Sequence, residues 1–187
     1  MTTRRVLGAL SIAVLASGCM TLAPPYPAST ANATSAAALG APVALGTFKH
    51  APGREADLKA LRARAQMFAS PVNDSYADYV AGAVRADLAA GGKLDAGSPR
   101  VLSGVLERNE VSADSLLKNS ATVTVTFRLD DARSKRFEKS MTSTEEWESA
   151  YLGSIAIPRA IQHYVATVQK LIGQLFSDPD FIAATKP

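Results

Sequence analysis

The side chains that most often perform chemistry are few in this sequence, and they do not form a catalytic pattern. Ser115 and Lys118 match the S-x-x-K spacing of penicillin-binding enzymes, but the S-D-N and K-T-G partners of that site are absent. His50 and His163 are the only histidines, and no G-x-S-x-G accompanies them. We therefore expect a hairpin loop at residues 115–118 and a protein that is not an enzyme.

Metal or cofactor chemistry is not indicated either. The chain has one cysteine and two separated histidines, which do not make a zinc ligand set. Asp178 precedes Pro179, a pattern that predicts a helix cap. Three acidic residues surround Trp147, the only tryptophan. They indicate either an exposed recognition patch or, as we favour, a strand end at which Trp147 closes the edge of the core.

The single cysteine, Cys19, lies where a secretory signal would be cut. Arg4 and Arg5 give a positive start, residues 6–16 are apolar, and two small residues precede Cys19. These are the three zones of a signal peptide. The apolar run is too short to cross a bilayer, which takes about 20 residues.

The segment Leu15-Ala16-Ser17-Gly18-Cys19 resembles the lipobox of bacterial lipoproteins. The resemblance implies that residues 1–18 are removed, that the Cys19 thiol carries a diacylglycerol and that its new amine is acylated with a fatty acid such as palmitate. Residue 20 is Met and not Asp, which in Gram-negative bacteria implies sorting to the outer membrane. We expect a lipid-anchored protein on the periplasmic face of that membrane.

Composition limits the remaining possibilities. Without residues 1–18, the net charge of +3 falls to about +1, so nothing favours nucleic acid as a partner. Residues 19–42 hold the lipidated cysteine followed by Ala, Pro, Ser and Thr without any charge, which predicts a flexible tether spanning about 25 Å. Residues 43–187 then form one periplasmic domain.

Periodicity predicts the elements of that domain. Residues 121–129 alternate strictly between apolar and polar side chains, as a strand with one buried face does. Residues 58–68 fit a strand or a helix, with strand preferred. One helix is expected to begin at an Asp74 cap and end at Gly91-Gly92. Another is expected to begin at Pro158, and its apolar stripe from Ile161 to Phe176 should make it a main support of the fold. Further strands are expected at residues 43–50, 101–111 and 136–145.

This order predicts an α+β fold. We expect a two-layer sandwich, in which an antiparallel or mixed sheet of four to five strands carries two main helices on one face. The layout resembles that of small outer-membrane lipoproteins, including the ABC-transport auxiliary lipoproteins. Residues 147–158 also resemble a stretch in proteobacterial lipoproteins of uncharacterised role. Neither resemblance supplies a catalytic motif.

These observations predict a binding or assembly domain, and an auxiliary part of an envelope transport system is one such role. Its partner would be an envelope protein or a second copy of the chain. Residues 151–158 are apolar and irregular, so they either lead into the helix or form a lip for a partner or ligand. The candidate surface is Trp147, Tyr151, Leu152, Ile155 and Ile157. The alternative is a carrier of a lipid or small apolar molecule, with a cavity lined by residues such as Tyr79, Val125 and Tyr164.

Overall fold

A computed structural model describes residues 20–132 and 134–187 of the chain. Cys19 and the predicted signal peptide lie outside the described residues. The fold is α+β, as predicted, with twelve elements in the described part of the chain. They are β1 Met20–Leu22, α1 Thr30–Ala37, β2 Ala44–His50, α2 Glu55–Leu58, β3 Ala60–Ala63, β4 Gln66–Ala69, α3 Tyr76–Ala90, β5 Val101–Ser112, β6 Lys118–Asp130, β7 Lys135–Glu148, α4 Gly153–Ser177 and α5 Pro179–Ala184.

The main sheet has four strands in the order β2-β5-β6-β7. β2 runs parallel to β5, whereas β5, β6 and β7 form an antiparallel meander. The predicted alternation in β6 is confirmed, because the odd-numbered residues from 121 to 129 are buried. On the outer face, Thr124 and Thr142 are hydrogen-bonded across β6 and β7 at 2.9 Å.

The two long helices pack against this sheet and against each other: α3 lies over β2 and β5, and α4 lies over β6 and β7. The apolar stripe of α4 is confirmed, with Val168, Leu171, Ile172 and Leu175 all fully buried. Burying such a side chain contributes about 1.5–3 kcal/mol. This helix is therefore a main support of the fold, as the sequence predicted.

A second, three-stranded sheet in the order β1-β4-β3 was not predicted. Residues 58–68, which fitted either element, end a one-turn helix and then form the hairpin β3–β4. The turn between these strands contains Arg64, whose φ of 56° is unusual for a residue with a side chain. β1 then adds to β4 in parallel, with Met20 opposite Met67.

The prediction of a flexible tether at residues 19–42 is wrong for residues 20–42, which are the part of it that the structure describes. Residues 30–37 form the helix α1, and Asn32, Ala36 and Leu39 are buried. Among the described residues, the segment before residue 43 is therefore part of the folded domain. The reason is a close approach between α1 and the end of α3: a Cβ on Gly91 would lie 2.6 Å from the carbonyl oxygen of Ala33. The small side chains of α1 allow this close contact. From composition alone, the same small residues indicated a flexible segment.

Helix boundaries also differ from prediction. α3 is capped by Ser75, whose hydroxyl accepts from the Asp78 N–H. Asp74 instead forms a 2.8 Å ion pair with Lys59. α3 does end at Gly91, as predicted, and Asp178 caps α5, as predicted.

Candidate functional site

The first turn of α4 shapes the candidate site. The helix begins at Gly153, so the prediction that it begins at Pro158 is wrong. Pro158 lies inside the second turn, where it cannot donate the backbone hydrogen bond to residue 154. The extra turn persists because Ala156 is buried and Ile157 packs against the core. Two exposed residues, Tyr151 and Leu152, precede it.

An apolar groove of about 420 Å³ runs beside this turn. It continues into a smaller hollow of about 240 Å³ along the same helix, and the two share Pro24 and Gln162. None of the lining side chains is charged. We call the combined feature the α4 groove; it is lined by Pro24, Pro25, Pro27, Gln66, Phe68, Ile157, Pro158, Ile161, Gln162 and Val165.

One wall of the α4 groove is the proline-rich segment at residues 24–27. Proline has a fixed φ and no backbone N–H, so this wall is stiff and presents few hydrogen-bond donors. The Gln169 side-chain amide donates to the carbonyl of Pro27 at 3.1 Å, which ties the segment to α4. The opposite wall is α4 itself, through Ile157 and Ile161.

The proline wall is positioned by a buried carboxylate, Asp87 of α3. Asp87 is fully buried, and a carboxylate is rarely buried unless it is paired or hydrogen-bonded. It accepts from the Tyr26 hydroxyl at 2.7 Å, from the Ser29 N–H at 2.8 Å and from the Asn32 side-chain amide at 2.8 Å. Burial, followed by the Asp87 contact, raises the pKa of Tyr26 well above its ordinary value.

A cluster of tyrosines lies in the interior, where the sequence predicted a ligand cavity. Tyr79, Val125 and Tyr164 are fully buried. The ring of Tyr164 packs against Tyr76 and Tyr79 with centroids 5.6 and 6.0 Å apart, and its hydroxyl donates to Asn109 at 2.8 Å. Burial raises the pKa of Tyr79 to about 12. These side chains fill the core rather than line a cavity.

The structure separates the predicted surface residues into three groups. Trp147 is only 7% exposed and stacks on His163 with ring centroids 4.4 Å apart. Ile157 lines the α4 groove. Tyr151, Leu152 and Ile155 are exposed, Tyr151 by 83%. At 100° per residue, His163 and the groove residues lie on opposite sides of α4, so Trp147 does not contribute to the groove.

Residues 149–151 are held by Arg64, which the sequence did not single out. Its guanidinium donates to the carbonyls of Ala150 at 2.5 Å, Tyr151 at 3.1 Å and Ala113 at 3.4 Å. No local pattern predicts these contacts, since the partners are 49 to 87 residues away. Arg64 thereby fixes where α4 begins.

The S-x-x-K residues lie in the predicted loop between β5 and β6. The Ser115 hydroxyl accepts from the backbone of Leu117 and of Lys118, and the Lys118 ammonium pairs with Glu146. Both groups therefore have structural partners. Within residues 20–132 and 134–187, no cluster of His, Cys, Asp and Glu could hold a metal ion, and no helix is both long and apolar enough to span a membrane.

A second depression, of about 480 Å³, lies on the outer face of the main sheet. Its volume exceeds that of either part of the α4 groove, but its walls are charged, and two of these charges belong to one network of ion pairs. Arg128 pairs with Asp130 at 2.7 Å and lies 4.0 Å from Glu138. The α4 groove is the better candidate because its apolar walls have no partner among the described residues.

Comparisons with known proteins support the fold. No known family model and no curated protein sequence matches this chain. The chain is similar to protein XCC0632 from Xanthomonas campestris, of the family DUF330, with a TM-score of 0.50, 15% identity and coverage of 86% of this chain and 92% of that one. It is also similar to the hypothetical protein CT253 from Chlamydia trachomatis, with a TM-score of 0.50, 12% identity and coverage of 78% and 99%.

A weaker similarity is to a lipoprotein candidate from Caulobacter crescentus CB15, with a TM-score of 0.46, 14% identity and coverage of 85% and 99%. At these identities, the two similarities with a TM-score of 0.50 establish a shared fold and no shared activity. The chain thus has the fold of protein XCC0632 and of protein CT253.

Proposed function

We propose that this chain is a non-enzymatic lipoprotein of the outer membrane, whose periplasmic domain binds an apolar segment of another envelope protein. The anchor is inferred from the lipobox-like segment that ends at Cys19. The observation that carries the binding role is the α4 groove, because its walls are apolar, uncharged and open to solvent.

The dimensions of the α4 groove fit an extended or helical peptide segment. Its two parts, about 420 and 240 Å³, lie along more than two turns of α4, from Ile157 to Val165. Grooves of this kind take apolar anchors at regular spacing from a partner. The resemblance to ABC-transport auxiliary lipoproteins favours a transport complex of the envelope as the source of that partner.

Site-specific photo-crosslinking in cells tests the groove. A crosslinking amino acid replaces Gln162, which lines the groove and is exposed. The matched control replaces Gln174, an exposed glutamine on the same helix outside the groove. We expect an envelope protein to be captured from position 162 and not from position 174. Equal capture at both positions, or none at either, would contradict a binding role for the groove.

Metabolic labelling tests the anchor independently. Labelled palmitate should be incorporated into the parent chain and not into a Cys19→Ser variant, and the parent should fractionate with the outer membrane. Incorporation into both chains or into neither would overturn the lipid anchor. The groove would remain testable in either case, because the crosslinking result does not depend on acylation.

The alternative function, a carrier of a small apolar molecule, would have to use the same groove, since the predicted internal cavity is filled by packed tyrosines. Native mass spectrometry of gently extracted protein distinguishes the two. A bound small molecule that is lost in Gln162→Trp and kept in Gln174→Trp would favour the carrier over the protein-binding role.

A further inference from the structure

Exposed apolar side chains are concentrated at one end of the molecule. Nine large apolar side chains are exposed among the described residues. Eight of them lie in the segments 20–22, 116–117 and 151–155 or at residue 67 of β4. Single exposed apolar residues are normal on a protein surface, whereas a concentration of them marks an interaction site. The eight are Met20, Leu22, Met67, Leu116, Leu117, Tyr151, Leu152 and Ile155.

Hydrogen bonds bring these segments together. The Ser149 N–H donates to the carbonyl of Leu117 at 2.9 Å, which joins the start of α4 to the β5–β6 loop. Arg64, in the β3–β4 turn, donates to the carbonyls of Ala113 and Tyr151. The turn, the loop and the start of α4 therefore meet, and we call this end of the molecule, with the eight side chains above, the apolar tip.

The chain enters the domain at the apolar tip. Met20 pairs with Met67, the second residue of β4, which follows directly after the β3–β4 turn. Because β1 is parallel to β4, it runs away from that turn, and its first residue is the one nearest the tip. Strand alternation puts Met20, Leu22 and Met67 on the face opposite Phe68, which is buried.

Cys19 is the residue directly before Met20. One residue spans at most about 3.6 Å, so acyl chains on Cys19 would begin within about 4 Å of the tip. Residues 23–42 cannot supply slack, since they are packed through Asp87 and α1. A domain anchored in this way has its apolar tip at the phospholipid surface.

We propose that the apolar tip inserts into the lipid headgroup region and holds the domain flush against the membrane. This inference rests on the proposed lipid anchor and adds an orientation to it. Positive and negative side chains of the described residues at the tip are equal in number, so contact rests on apolar insertion rather than on charge attraction. They are Arg62, Arg64 and Lys118 against Asp114, Glu146 and Glu148. Apolar side chains at such an interface lie about 5–10 Å deep.

Fluorescence quenching on vesicles tests the orientation. The full lipidated chain is reconstituted in phosphatidylethanolamine and phosphatidylglycerol vesicles that contain a spin-labelled lipid quencher. Because Cys19 is the only cysteine and its thiol would be acylated, an introduced cysteine is the one free thiol. An environment-sensitive dye is attached at Leu117→Cys, which is 84% exposed at the tip.

Ser134→Cys provides the control at the other end of the sheet. Ser134 lies in the β6–β7 turn, and its two hydrogen bonds are made by backbone atoms. The 13 residues of β6 place it about 40 Å from the β5–β6 loop. We expect lipid quenching at position 117 to exceed that at position 134 by about threefold or more, since only the first would reach the interface.

Each other outcome overturns the inference in a distinguishable way. Equal, weak quenching at both positions in protein that floats with the vesicles would show an anchored domain that stands away from the membrane. A blue-shifted dye at position 117 without lipid quenching would show that protein, such as a second copy, covers the tip. Protein that fails to float would overturn the lipid anchor itself, and the inference with it.

Discussion

The segments at residues 20–42 and 151–158 differ in a way that reverses what their compositions suggest. The first is rich in Ala, Pro, Ser and Thr, yet Asn32, Ala36 and Leu39 are buried. The second is mostly apolar, yet Tyr151, Leu152 and Ile155 are exposed. Burial in this protein therefore follows from the partners that the fold supplies, and not from the hydropathy of a segment alone.

The difference has a specific cause in each region. Polar groups of residues 26–32 donate hydrogen bonds to the buried carboxylate of Asp87. These bonds replace the hydrogen bonds to water that the groups give up when they are buried. Ala150 and Tyr151 are fixed through their backbone carbonyls by Arg64, so the apolar side chains that follow can face outward. In both regions, hydrogen bonds to a distant residue decide the outcome: Asp87 holds the polar residues 26–32 against the domain, and Arg64 holds the backbone from which Tyr151 and Leu152 face solvent.

The largest expected loss of stability comes from removing the contacts that Asp87 makes with residues 26–32. Asp87→Ala removes the acceptor of several buried donors, and each unsatisfied donor costs about 1–3 kcal/mol, so we expect a loss of about 3 kcal/mol or more in the free energy of unfolding. Urea denaturation measures that loss. Hydrogen exchange should show residues 26–37 losing protection first.

Arg85→Ala is the matched control, because Arg85 is exposed two residues earlier on the same helix. It should change stability by less than about 0.5 kcal/mol. Equal stability of the two variants would mean that Asp87 does not hold the N-terminal segment, and the predicted tether would regain support.

The second prediction concerns Arg64. Its hydrogen bonds to Ala150 and Tyr151 involve a charged donor, and such a bond contributes about 1.5–3 kcal/mol at most. Because Arg64 is partly exposed, water replaces part of this energy, and Arg64→Ala should lower the free energy of unfolding by about 1–3 kcal/mol. Residues 149–155 should then exchange their amide hydrogens faster. Arg64→Gly loses the same bonds but relieves the positive φ, which is worth about 1 kcal/mol. The stability order should be parent, then Gly, then Ala; an Ala variant as stable as the Gly variant would contradict the backbone argument.

A third prediction concerns the protonation of His163, which stacks on Trp147 on the side of α4 opposite the groove. Burial lowers the pKa of His163, and Arg159 adds to this effect against the opposing influence of Glu145. The unfolded chain, with a histidine pKa of about 6.5, thus binds the proton more readily than the native one. Stability should therefore rise with pH between the native pKa and about 6.5 and stay level above it.

Fluorescence of Trp147, the only tryptophan, should follow the titration of the stacked His163 with a midpoint below about 6.5. His163→Gln should abolish the transition. A midpoint above about 6.5 would show that His163 is stabilised as a cation in the native protein, against the burial argument.

The smallest effect is expected at the exposed turn. Leu152→Ala should change the free energy of unfolding by less than about 0.5 kcal/mol, because Leu152 already faces solvent and alanine adds no capping side chain at this N-cap. Ile161→Ala, at a buried position of α4, should cost about 2–5 kcal/mol. Similar losses for both variants in thermal or urea unfolding would mean that the apolar turn is packed rather than displayed.

Periodicity was sufficient to predict the main sheet and the long helices. The alternation of β6 and the stripe of α4 repeat at the periods of a strand and a helix, and both were confirmed. These signals succeed because they depend on neighbouring residues only. The hairpin β3–β4 was ambiguous for the same reason, since four-residue strands are too short for a period to stand out.

The α4 groove could not be predicted from the sequence. Its walls come from residues 24–27, 66–68 and 157–165, and it exists because Asp87 holds Tyr26 across 61 residues of chain. The sequence did single out Ile157, but it grouped that residue with Trp147, which lies on the other side of α4. A surface assembled from distant segments leaves no local pattern.

The sequence by itself determined the lipobox-like segment, the fold class and the stripes that form the core, because each depends on the order and spacing of nearby residues. Tertiary structure decided which segments are buried. The packing of residues 26–32 and the exposure of residues 151–155 depend on Asp87 and Arg64, whose partners lie far away in the chain. A hydrogen bond between distant residues is a property of the folded chain, and only the fold can supply it.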